Sequence, residues 1–187
     1  MSLVKSYFDY VNEPEKSLRE LVDRRSGTQA VCGYLAAALS WVLFFNIGDG
    51  LSAPAFLLKL AIVLVAELTA GCLLASFAGF ILDMQRIETS PVKLFVLIGS
   101  AGFIKGLFIA FALISATFPF LHLGILMPLA LALVFGLQLG YLIRSLKRIY
   151  NVSYLRSFLA WVLAVVPAVL CLVLLGIFMT WGLALLF

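Results

Sequence analysis

Residues 53–82 form an apolar run with only two charged side chains, Lys59 and Glu67. A bilayer's hydrocarbon core is ~30 Å thick, and a helix of roughly 20 apolar residues crosses it. A helix satisfies every backbone N–H and C=O within its own segment, which lipid requires. Four further apolar runs are readable, at 30–47, 92–118, 121–143 and 157–187. Hydrophobic residues make up 64% of the 187 and charged residues 12%. A soluble domain is nearer half apolar and about a quarter charged, and a chain this short has no core large enough to bury the excess. The expected class is an all-α polytopic membrane protein with five transmembrane helices. Residues 1–28 form an amphipathic cytoplasmic N-terminal segment, and residues 29–187 form one five-span membrane domain.

Charge placement orients the spans. Eleven of the 13 basic residues fall in three segments. Lys5, Lys16, Arg19, Arg24 and Arg25 precede the first span. Arg86 and Lys93 lie between spans two and three. Arg144, Lys147, Arg148 and Arg156 lie between spans four and five. The alternate connections, around Asp49 and around His122, carry no lysine or arginine. By the positive-inside rule the N-terminus is cytoplasmic and the C-terminus extracytoplasmic, in a multi-pass protein of the cell (cytoplasmic, or inner) membrane. The net charge of +4 therefore reads as topology and contact with anionic lipid at the cytoplasmic face. It does not read as a nucleic-acid surface, because no folded basic domain remains to form one.

The N-terminal segment carries two short amphipathic patterns, Leu3, Val4, Tyr7, Phe8 and Val11, then Leu18, Leu21 and Val22 after Pro14. They suit a helix lying on the membrane surface or docking a partner.

Ionisable groups inside apolar runs are functional candidates by default. Here they are Glu67, Lys105 and Lys59, with Gln138 as the polar amide of span four. Counting Glu67 from the outer end of span two and Lys105 from the inner end of span three puts their backbones about 9 Å apart in height. A direct bridge then needs long side chains or displaced span ends, and Lys59 is placed to snorkel outward. Small residues recur at helical spacing: Gly71, Ala75 and Gly79; Gly99, Gly102, Gly106 and Ala110; Gly136 and Gly140; Ala160, Ala164 and Ala168. Such stripes let helix backbones approach in lipid, here within one monomer. Pro167 is expected to kink span five, and Pro128 bends span four or marks its start.

Signatures of catalysis are absent. The sequence has no HExxH, GxSxG, P-loop or His/Cys cluster. Cys32, Cys72 and Cys171 lie singly in apolar runs and read as small buried hydrophobes. His122 reads as an interfacial residue. No metal site, catalytic residue or cofactor is expected, and the chain reads as a non-enzyme.

The stretch Leu139-Gly-Tyr141-Leu-Ile-Arg144-Ser-Leu-Lys147-Arg148-Ile-Tyr150-Asn-Val-Ser153-Tyr-Leu-Arg156-Ser157 resembles the Yip family of Ypt/Rab-interacting-type membrane proteins, in its short prokaryotic form. Phe80-Ile-Leu-Asp83-Met-Gln-Arg86-Ile-Glu88-Thr-Ser-Pro91-Val-Lys93 is similar to that family's polar joint between spans two and three. Asn12-Glu-Pro14-Glu-Lys-Ser-Leu18 is similar to its Pro-containing opening. The resemblance covers residues 10–180 and implies five spans with the N-terminus inside. Eukaryotic members act in vesicle traffic with small GTPases and membrane partners, but their Asp-Leu-x-Gly-Pro signature is missing here. The resulting expectation is an organiser or accessory subunit for a membrane-protein partner or a second copy. It would work through cytoplasmic-face candidates Asp83, Arg86, Arg144, Lys147, Arg148 and Arg156. The alternative is a small transporter, channel or lipid-moving protein built on Glu67 and Lys105.

Overall fold

A computed structural model of the protein describes residues 27–46, 52–118 and 125–186, with side chains through Phe178. The N-terminal segment through residue 26, Asp49 and His122 lie outside the described residues, so the expectations placed on them are not addressed. The described chain is helical: α1 (Gly27–Phe45), α2 (Ala53–Met84), α3 (Pro91–Ala101), a 3-10 segment (Gly102–Gly106), α4 (Leu107–Thr117), α5 (Met127–Tyr150) and α6 (Tyr154–Leu186). α3, the 3-10 segment and α4 run on as one span. With it, five helical stretches are long and apolar enough to cross a membrane.

The ends differ from the sequence boundaries for identifiable reasons. Pro54 and Pro91 occupy the first turns of α2 and α3, where a missing N–H costs nothing. Pro128 does the same for α5, so it marks that helix's start. α6 continues through Pro167 as one helix. The basic residues Arg144, Lys147 and Arg148 belong to the last turns of α5 and not to a loop; the joint to α6 is only residues 151–153. Asn151, at φ 52°, ends α5 in the left-handed region that asparagine tolerates.

α2 ends in a Schellman motif. The Ile87 N–H donates to the Leu82 carbonyl at 3.0 Å, and the Arg86 N–H donates to that of Asp83 at 2.9 Å. Arg86 takes the left-handed position, φ 61°, usually held by glycine. The turn delivers the chain to α3 within six residues, so α2 and α3 pack as neighbours.

α1 lies against α2, α3, the 3-10 segment and α4. α6 packs on α2 and α5, with Ala160, Trp161, Ala164 and Ala168 buried. Toward the 85–90 and 151–153 joints, small and aliphatic residues form one core around Tyr34, Leu82, Leu97, Leu146 and Trp161. A second, aromatic core gathers Phe44 and Phe108 with Val134, and Trp41 packs against it.

Candidate functional site

The site is built where α1, α2 and the 3-10 segment meet. Its frame is glycine. A Cβ on Gly33 would run into the Gly99 carbonyl, and one on Gly102 into the Gly33 carbonyl. The α1 and α3 backbones are therefore in contact, the approach that small residues permit in lipid. Gly71 and Gly99 also open the slot filled by Tyr34, whose hydroxyl donates to the Phe95 carbonyl at 3.1 Å.

Above Tyr34 the ionisable groups pair directly. Lys105 Nζ donates to Glu67 Oε1 at 2.6 Å and to Oε2 at 2.7 Å. Trp41 Nε1–H donates to the same Oε1 at 2.7 Å. The pair is enclosed, with 9% of the lysine and 14% of the glutamate side chain exposed. Lys105 Nζ also lies 5.8 Å from the ring centroids of Trp41 and Phe135, within cation–π range. Trp41 packs in turn against Phe108, the rings tilted with centroids 4.9 Å apart.

The expected height gap closes because the shared reference is the short joint at residues 85–90. α2 has 32 residues, ~48 Å of helix and longer than a ~30 Å hydrocarbon core, so its Ala53 end is a poor datum. Measured from Met84, Glu67 stands ~25 Å up. Measured from Pro91, Lys105 stands ~23 Å up, the 3-10 rise of ~2.0 Å per residue lifting it slightly. Long displaced side chains are not needed.

The 3-10 segment has a second effect. It winds ~20° more per residue than an α-helix, so five residues rotate the remainder of the span by ~100°. Gly99 and Gly102, before or at the start of the overwound turn, are buried. Gly106 has nothing near a Cβ, and Ala110 is exposed. The predicted small-residue stripe of span three is thus cut in half by helical phase. Span four departs further. Gly136 and Gly140 both face open space, so among the described residues neither packs against another helix. Gln138 is half-buried, and no hydrogen bond links its amide to another helix among the described residues. By contrast Gly71, Ala75 and Gly79 are buried, as are Ala160, Ala164 and Ala168.

The remaining candidates lie apart from this centre. Lys59 does not snorkel free; its ammonium donates to Asn46 Oδ1 and ties α2 to the end of α1. Asp83 Oδ1 accepts from the Thr89 N–H at 3.4 Å and hydroxyl at 3.3 Å, inside its own joint. Arg86, Arg144, Arg148 and Arg156 are exposed. Lys147 Nζ sits 3.7 Å over the ring of Tyr154. All three cysteines are free, and Cys72 is exposed on α2 where burial was expected, since it lies about 100° around the helix from Gly71 and about 60° from Ala75. No group of three or more His, Cys, Asp or Glu side chains suited to a metal occurs among the described residues.

Sequence reasoning missed Trp41 and Tyr34. Each is a polar-tipped aromatic in an apolar run, and such groups seek a hydrogen-bond partner when buried. That signal was available, but not which helix would supply the partner. Comparison of the chain with protein-family models, curated proteins and solved structures finds no match.

Proposed function

We propose that this is a non-enzymatic integral membrane protein that organises or assists other membrane components. It works through the end of the bundle bearing the 85–90 and 151–153 joints. On the positive-inside argument that end is cytoplasmic, with the N-terminus inside, the C-terminus outside and the cell's inner membrane as its site. The Yip-like stretches fit the same role. One observation carries the reading: the intramembrane charges are closed on each other. Glu67 accepts from Lys105 and Trp41, which leaves the pair suited to fixing the rotation of α1, α2 and α3. Among the described residues the exposed charged groups lie instead at the basic end. Replacing Arg86, Arg144, Lys147, Arg148 and Arg156 by glutamine is expected to strip partner proteins from the chain purified out of native membranes. An unchanged set of co-purifying species overturns the proposal.

A second reading has its own observation. The third span leaves α-helical winding at the residues that carry Lys105, and broken helices beside ionisable groups are how many transporters line their sites. Flux of protons, ions or lipid through reconstituted vesicles, lost on Glu67→Gln, supports that reading. No flux under any gradient removes it.

A further inference from the structure

We propose that the seam between α5 and α6 binds one anionic glycerophospholipid, its phosphate on Arg144, Lys147 and Arg148 and an acyl chain along α6. This deepens the proposed function by naming a lipid partner for the basic end, and it rests on that end lying at a membrane surface.

The charge is one-sided. Glu88 is the last acidic residue of the sequence, so α5 and α6 contribute cations and no carboxylate. Arg144, Lys147 and Arg148 follow i, i+3, i+4 spacing and share one face of α5. The structure shows which way that face turns. Lys147 Nζ lies 3.7 Å over the Tyr154 ring, across the joint and on the first turn of α6. The tyrosine fixes the ammonium at the seam, and Tyr154 is 54% exposed, the interfacial placement tyrosine favours. Arg156 lies about 160° around α6 from Tyr154 and belongs to the opposite flank.

Directly above Tyr154 the same side of α6 is apolar. Phe158, Val162, Val165 and Val169 recur at helical spacing, and all four are exposed. From Phe158 to Val169 the stripe is ~16 Å long, about half of a ~30 Å hydrocarbon core and so the depth of one leaflet. A phosphate-binding cluster at the foot of a leaflet-long apolar stripe fits a phospholipid. A soluble phosphate would use the cations and leave the stripe idle.

The test uses the full chain purified in detergent, with bound lipid counted by native mass spectrometry. The probes are phosphatidylglycerol and phosphatidylcholine of matched acyl chains. Phosphatidylglycerol should be retained preferentially. Arg144→Gln/Lys147→Gln should reduce its retention by about fivefold for each cation removed. Tyr154→Leu, which leaves every charge in place, should give a smaller loss. Phe158→Ser/Val162→Ser should lower retention of both lipids. Excess glycerol phosphate should displace neither. The proposal is overturned if the double variant keeps its phosphatidylglycerol, if glycerol phosphate displaces the lipid, or if Arg86→Gln/Arg156→Gln causes an equal loss, which would indicate diffuse charge. Partner recovery from native membranes is a separate readout. Lost partners with lipid retained, or the reverse, shows which of the two proposals has failed.

Discussion

Two sets of glycines in this protein have the same spacing logic and opposite fates. Gly33, Gly99 and Gly102 bring the α1 and α3 backbones into contact, close enough that a Cβ at Gly99 would stand 2.9 Å from the Ala30 Cα. Gly136 and Gly140 of α5 meet nothing among the described residues. The difference teaches that a small-residue stripe permits close approach without causing it. At the α1–α3 seam, approach is reinforced by groups that the glycines themselves admit: Tyr34 bonded to the Phe95 carbonyl, and the Glu67–Lys105 pair just beyond. The α5 face has no such polar tie among the described residues. Lipid solvates it as well as another helix would.

Three substitutions would break or sharpen this contrast. The largest effect is expected from Lys105→Met. It leaves an uncompensated carboxylate against Trp41, and removing one partner of a buried pair costs about 3–5 kcal/mol. Denaturant unfolding of the detergent-purified protein measures it. Glu67→Gln/Lys105→Met should restore much of the loss, and a double variant no better than the single would show that the pair is not the tie. Next comes Gly99→Ala. Its added carbon meets Ala30 and the Tyr34 ring, with backbone among the obstacles, and overpacking of this kind costs about 1–3 kcal/mol. A fall in thermal stability without loss of helical circular dichroism is the expected signature. The smallest effect is expected from Gly136→Leu, within about 0.5 kcal/mol on an open surface. A large loss there would mean that the α5 face is packed in the membrane, and the contrast would fail.

Much of the architecture was readable from residue order. The five spans and the short joint between the second and third needed only apolar length and turn chemistry. Glu67 and Lys105 were conspicuous because ionisable groups are costly in lipid. Their pairing was not readable, because the height estimate used the outer end of α2 as its datum. Trp41 was overlooked for a related reason. A tryptophan in an apolar run declares no partner until the facing helix is known. The split of the third span's stripe at Gly102 depended on winding, and nothing in the order Gly-Phe-Ile-Lys-Gly announces a 3-10 turn.

The sequence alone determined that the chain is helical and suited to lipid, since apolar length and internal backbone bonding are properties of each segment taken singly. Tertiary structure decided which face of each helix meets a neighbour. That choice depends on rotation about the helix axis, which accumulates residue by residue. One overwound turn was enough to turn Ala110 outward and leave Lys105 against Glu67.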